Sequence, residues 1–154
     1  ENGGKPIRSR VGHSFIKAMM AETNAVFGGE HSGHFYFSDF WRADSGMLAA
    51  LFALAELSGS DKSLSELLLP YNRYVLSGEI NTRVSDTAAS LDLIRETFKA
   101  DHELDELDGV TVTAKDYWFN VRPSNTEPLL RLNVEAVDEP TMKKVRDKVL
   151  KLIG

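Results

Sequence analysis

The stretch VTVTAKDYWFNVRPSNTEPLLRLNVEA, residues 110–136, contains three runs rich in β-branched and aromatic side chains, at 110–113, 117–121 and 129–136. Such side chains suit a pleated, half-buried surface. Each run therefore reads as a strand, and three strands in succession pair most simply as antiparallel hairpins. Just upstream, residues 79–84 alternate like a half-buried strand, and Asp86 opens a helix with Leu91, Leu93, Ile94 and Phe98 at helical spacing. Downstream, Asp138 or Thr141 caps a last helix whose Met142, Val145, Val149 and Ile153 lie near one face. The acidic run 101–108 reads as a solvated connection. The second half is thus β-α-β-β-β-α, a small domain with a four-stranded antiparallel sheet and two helices.

The first half has a different rhythm. Residues 6–10 are a short extended candidate, and Ser14 is placed to cap a helix over 15–23, where Phe15, Ile16, Met19 and Met20 recur at helical spacing. Runs at 25–27 and 35–37 flank the glycine-rich GGEHSGH, 28–34, as two strands around a loop. Asp44 is expected to cap a helix over 45–57, so apolar all round that it should be buried on more than one side. Ser63 caps a short helix that Pro70 ends. Residues 70–77 read as the linker, with the domain boundary near Tyr74, giving units 1–74 and 75–154. Phe40, Trp41 and Trp118 sit among other apolar residues and read as core.

A chain of 154 residues can bury one moderate core or two small ones. A net charge of -5 argues against a nucleic-acid surface, which needs clustered Lys and Arg. The absence of cysteine excludes disulfides and thiolate zinc sites and suits a cytoplasmic protein. No apolar run reaches the roughly 18 residues that span a bilayer, and the opening ENGGKP has no signal-peptide core. Lacking an initiator Met, that opening reads as the start of a fragment, inside a loop.

Two loops and one short motif can carry chemistry. GGEHSGH gathers Glu30, His31, Ser32 and His34 where three glycines permit unusual backbone geometry, and it offers the donors and acceptors that vicinal sugar hydroxyls require. Composition alone favours the plainer reading, a polar hairpin turn. A metal reading through Glu30, His31 and His34 is opposed by the glycines, because HExxH sites need a helix to align their histidines. RPSNTEP, 122–128, joins the planar fork of Arg122 to the hydroxyls of Ser124 and Thr126 and to Asn125, which tolerates positive φ, so it can form a phosphate cradle. The plain alternative is a turn in which Arg122 pairs with Glu127 at the surface. In VGHS, 11–14, His13 stands at a helix start with Arg8 and Arg10 beside it, available to a substrate or simply part of a cap.

Together, GGEHSGH, the following FYFSDFWRADSGMLAALFALAELS, and RPSNTEPLLRLNVEA resemble the final third of the α-D-phosphohexomutases, especially the phosphomannomutase/phosphoglucomutase group. The resemblance covers nearly the whole chain. It implies that residues 1–74 are the C-terminal part of the family's α/β third domain and residues 75–154 its fourth. It also implies sugar contacts from Glu30, Ser32 and His34, phosphate contacts from Arg122, Ser124, Asn125 and Thr126, and nearby roles for His13 and Arg10. The group's usual sugar loop is GEMSGH, so His31 stands for a Met. Family members interconvert hexose 1-phosphates and 6-phosphates through a bisphosphorylated sugar, an enzyme phosphoserine and Mg²⁺. The TxSHNP serine loop and the DxDxD metal loop do not occur in this sequence. The implied partners are therefore a phosphosugar and the N-terminal domains of the same polypeptide, which would hold the Mg²⁺, and the chain alone is expected to be inactive. Phosphoglucosamine mutases, with GGEQSGH and RPSGTEP loops, are the near alternative, and a non-catalytic phosphosugar-binding module the distant one.

Overall fold

The structure, a computed structural model, describes residues 3–124 and 127–154. Its contacts divide the chain into two units, Glu1–Leu69 and Pro70–Gly154.

In the first unit, residues 4–10 have no regular structure, so the extended candidate at 6–10 finds no sheet to join. Helix α1 spans His13–Thr23 and starts before the expected Ser14 cap. Gly12 is the N-cap, at φ 127, and its carbonyl accepts from the N–H groups of Phe15 and Ile16. That backbone angle favours glycine, which displaces Ser14 into the first turn. Ile16 and Met20, four residues apart on α1, are buried against Tyr36.

Tyr36 belongs to a three-stranded antiparallel sheet of order β1-β2-β3, formed by β1 (Phe27–Gly29), β2 (Phe35–Phe37) and β3 (Ala43–Asp44). β1 runs into the glycines rather than stopping before them at 27. β3 carries no sequence pattern at two residues, yet it registers Asp44 opposite Tyr36. The chain returns from β2 through a turn in which Trp41 and Arg42 both adopt left-handed backbone, φ 53 and 52. Such angles cost non-glycine residues on the order of 1–3 kcal/mol each.

Helix α2 (Gly46–Ser58) is capped by Ser45, whose Oγ accepts from Leu48 N–H at 3.1 Å. The expected cap, Asp44, is held one residue earlier in β3. The expectation of a buried α2 also fails, since none of its residues is buried and Met47 is 79% exposed. The unit's small sheet packs on α1, and α2 stacks Phe52 on Phe37 at 5.4 Å. Phe40 and Trp41, expected in the core, are exposed for a related reason: they occupy the tight turn at the sheet's rim. Helix α3 (Leu64–Leu68) carries the capping box of Ser63 and Glu66.

The second unit contains β4 (Val75–Leu76), β5 (Ile80–Arg83), α4 (Thr87–Phe98), β6 (Glu103–Asp105), β7 (Val110–Thr113), β8 (Tyr117–Pro123), β9 (Leu129–Ala136) and α5 (Glu139–Ile153). Asp86 and Asp138 cap α4 and α5 through the N–H groups of Ala89 and Thr141. The four expected strands are present as β5, β7, β8 and β9. Two more enlarge the sheet to six, in the order β4-β9-β8-β7-β6 with β5 also on β9. β4 lies in the supposed linker and pairs with Glu135 and Ala136, while β6 lies in the supposed acidic connection and pairs with β7. Both are made by backbone hydrogen bonds to a neighbouring strand, and two or three residues hold too little side-chain pattern to show it.

Phe119, Val121, Leu130, Leu132 and Val134 alternate onto one face of the β8–β9 hairpin and join Ile94 and Phe98 of α4 and Val149 of α5 in the core. Phe98 and Phe119 meet edge to face at 5.0 Å. The intervening residues, Trp118, Asn120 and Arg122 on β8 and Arg131 and Asn133 on β9, take the other face. Trp118, expected in the core, is consequently 37% exposed. Among the described residues no helix is long and apolar enough to cross a membrane.

Candidate functional site

The β1–β2 hairpin presents residues 30–34 as its loop. Glu30 N–H donates to His34 O at 2.9 Å and Gly33 N–H to Glu30 O at 3.0 Å. Of the three glycines in GGEHSGH, Gly33 alone needs left-handed backbone, at φ 86. Gly28 is required for close packing instead: a Cβ there would stand 2.9 Å from Ile16 Cγ2 and 3.1 Å from Met20 Sδ. Gly28→Ala should therefore destabilise the first unit by about 1–3 kcal/mol through overpacking. Denaturant unfolding followed by circular dichroism measures this, and an unchanged midpoint would mean that α1 yields freely.

The loop's polar side chains are organised from the strands behind it. Tyr36 OH donates to Glu30 Oε1 at 2.6 Å, and its ring is buried. Burial, and then the bond to Glu30, hold the phenol well above its ordinary pKa, so Tyr36 stays a donor and Glu30 a fixed acceptor. Ser32 Oγ lies 3.4 Å from Glu30 Oε2. His34 Nδ1 is 2.6 Å from Asp44 Oδ2, and Asp44 Oδ1 accepts from Phe35 N–H at 2.9 Å. The hydrogen bond to Asp44, and then its charge, raise the His34 pKa above 6.5. In return, the hydrogen bond from His34, and then that from Phe35 N–H, lower the Asp44 pKa.

His13 and Lys17 of α1 join Glu30, His34, Tyr36 and Asp44 around a cleft of about 410 Å³, within the range of small-ligand sites. Three expected residues, His13, Glu30 and His34, thus come together, with Ser32 attached through Glu30. Arg10 does not line the cleft, and its guanidinium sits 4.7 Å over the Phe15 ring. Lys17, Tyr36 and Asp44 escaped the sequence reading. Lys17 follows His13 by one helical turn and Tyr36 is the inward position of Phe-Tyr-Phe, so both had a signal; Asp44 read only as a cap. The cleft offers acceptors, imidazoles and an ammonium, a set suited to a polyhydroxylated or anionic ligand. Among the described residues no three His, Asp or Glu side chains converge as metal ligands.

In the second unit, β8 runs past the expected 121 to include Arg122 and Pro123, and Ser124 N–H donates to Leu129 O at 2.9 Å. Asn125 and Thr126 lie outside the described residues. Arg122 registers opposite Arg131, a like-charge pair that would be unfavourable alone. Glu79 relieves it, with Oε2 at 3.3 Å from Arg122 Nη2 and Oε1 at 3.4 Å from Arg131 Nη1. Glu127 instead approaches Arg83 at 3.5 Å, so the simple turn with an Arg122–Glu127 pair is not what forms. The Arg122 side chain is largely buried, 17% exposed, where it meets Glu79.

Comparison with known proteins gives a consistent result. The family model described as phosphoglucomutase/phosphomannomutase, alpha/beta/alpha domain III, matches residues 1–74, and that for the C-terminal domain matches residues 79–152. A phosphomannomutase of Methanocaldococcus jannaschii is 50% identical over 99% of this chain and 34% of its own length. A phosphomannomutase of Escherichia coli strain K12 is 37% identical over 96% of this chain and 33% of its own. A crystal structure of a phosphoglucomutase/phosphomannomutase family protein from Burkholderia thailandensis superposes with a TM-score of 0.82 at 30% identity, covering 97% of this chain and 32% of that one. The chain spans about a third of the length of the curated relatives it matches.

Proposed function

The chain belongs to the phosphoglucomutase/phosphomannomutase family, and from that premise we propose that the polypeptide containing it interconverts hexose 1-phosphates and hexose 6-phosphates, mannose and glucose being the favoured sugars. The observation that carries this reading is the cleft that gathers His13, Glu30 and His34 around the GGEHSGH loop. In it, residues 1–74 are the C-terminal part of the family's third domain and residues 75–154 the fourth. Glu30, Ser32 and His34 bind sugar hydroxyls, with His13 close by and Arg10 at the margin. Arg122, Ser124, Asn125 and Thr126 hold the phosphate that is not reacting.

The chemical step falls to residues outside this chain. There, a phosphoserine gives its phosphoryl group to the free sugar hydroxyl, and the bisphosphorylated sugar returns its other phosphoryl group to the serine. In this reading Mg²⁺ is held by the same outside region, where it would neutralise charge on the transferring phosphoryl group. The same outside region is the natural cover for the exposed apolar face of α2. Such an enzyme works in the cytoplasm on a soluble phosphosugar.

The test is turnover by the full-length polypeptide, supplied with Mg²⁺ and a catalytic amount of hexose bisphosphate, on mannose, glucose and glucosamine 1-phosphates. Conversion of mannose or glucose 1-phosphate to the 6-phosphate supports the proposal. A clear preference for the glucosamine compound would move the assignment to phosphoglucosamine mutase, and turnover of none would overturn it.

A further inference from the structure

We infer that Asp44 is the positioning residue of the cleft, fixing the His34 imidazole with its hydrogen on Nδ1 so that Nε2 is the nitrogen a ligand meets. This rests on the reading of the cleft as a sugar-hydroxyl site, and on geometry that does not depend on it. An ionised carboxylate accepts hydrogen bonds and donates none. At 2.6 Å from Asp44 Oδ2, His34 Nδ1 must therefore be the donor. The second carboxylate oxygen is occupied by Phe35 N–H at 2.9 Å, so Asp44 cannot swing away without breaking a backbone bond.

The local fold is arranged to deliver this contact. Ala43 N–H donates to Phe40 O at 2.7 Å and Ser45 N–H to Phe35 O at 2.9 Å, bracketing Asp44 on the edge of β2. The left-handed pair Trp41 and Arg42 turns the chain sharply enough to bring β3 there. The strained turn shortens the return and lays Asp44 opposite Tyr36, beside the last residue of the loop.

Several charged or titratable groups surround His34. Asp44 comes from β3, Glu30 from the loop, Tyr36 from β2, and His13 and Lys17 from α1. Asp44 is the one in direct contact, with Glu30 adding at longer range and desolvation opposing. Because Nδ1 keeps its hydrogen in either charge state, only Nε2 changes role: it donates when the ring is cationic and accepts when it is neutral. Glu30 accepts from Tyr36 OH and is held in place by it. The cleft thus has one fixed and one switchable partner for adjacent hydroxyls, and Asp44 governs the switch.

The experiment is nitrogen and carbon NMR of histidine-labelled full-length polypeptide, with the His34 signal identified by its loss in His34→Gln. The wild type is expected to show the Nδ1–H tautomer above the His34 pKa. In Asp44→Asn that pKa should fall measurably, in line with loss of an adjacent opposite charge. In Asp44→Ala the neutral ring should revert toward the Nε2–H form. A wild-type Nε2–H tautomer, or a titration unmoved in Asp44→Asn, would overturn the inference, and the first of these is decided even if a variant does not fold. These readings need no turnover. Where the enzyme does turn over, the His34-dependent limb of its kcat/KM profile should move to lower pH in Asp44→Asn, which a merely structural aspartate would not produce. The expected tautomer in a protein that binds no hexose phosphate would uphold the positioning role and sink only the sugar-site reading.

Discussion

Gly109→Ala is expected to cost the second unit about 3 kcal/mol or more, enough to unfold a marginal domain. Gly109 has φ +70, and a Cβ built on it would lie 2.3 Å from Val121 O, 2.7 Å from Arg122 Cα and 2.8 Å from Arg122 Cβ. Two of those atoms are backbone, so no rotamer change relieves the overlap, and β8 would have to part from the turn before β7. Gly78 provides the internal control. It shares φ +70 but has nothing within 4 Å of its would-be Cβ. Gly78→Ala should therefore show the backbone preference alone, about 1 kcal/mol. Denaturant midpoints of the two variants separate the terms. Equal losses would mean that the steric overlap relaxes at little cost.

The second large effect concerns binding. In the full-length polypeptide, Arg122→Ala should weaken hexose phosphate affinity by about 2–4 kcal/mol, on the order of 30- to 1000-fold in Kd. The reason lies in the exchange that a phosphate would bring about. The Glu79 carboxylate bridges the Arg122 guanidinium to that of Arg131. A phosphate dianion carries more charge than the single carboxylate and meets the guanidinium fork with two oxygens. Arg122→Lys keeps the charge and loses the fork, so it should recover part of the affinity. Calorimetry on the wild type and both variants measures the series. An unchanged Kd in Arg122→Ala would return Arg122 to a purely structural part in the sheet.

Legibility in the sequence varied with how much each element depends on its own side chains. Helix α5 is legible in its buried face, marked by Met142, Val145, Val149 and Ile153, while its cap was open between Asp138, which serves, and Thr141. The strands of the β8–β9 hairpin were as clear, since alternating apolar residues record which face meets the helices. By contrast, β3, β4 and β6 are made by hydrogen bonds to a neighbour, and two or three residues hold too little pattern to show it. Helix α2 was legible as a helix but not in its surroundings: apolar composition says that a face seeks cover, not that the unit supplies it.

The candidate site divides in the same way. Glu30, His34 and His13 advertise themselves as polar groups in glycine-bearing motifs. Tyr36 and Asp44, which orient two of them, act across β2 and β3. Asp44 in particular looked like a helix cap because Ser45, the actual cap, follows it directly. A register of paired strands decides which of two adjacent polar residues serves which purpose, and one sequence does not contain that register.

The acidic run that concealed β6 has a role in solution behaviour. β6 ends the strand order of the six-stranded sheet, pairing with β7 on one side, and among the described residues no further strand lies beyond it. Such a margin is a template on which a foreign strand can add and from which aggregates grow. Here Glu103 and Asp105 lie on the strand, with Glu106 and Asp108 just beyond. Any second copy approaching in antiparallel register would bring its own acidic cluster against this one. The repulsion opposes edge-to-edge pairing of two such strands, and the same charges make the run read as a loop in the sequence.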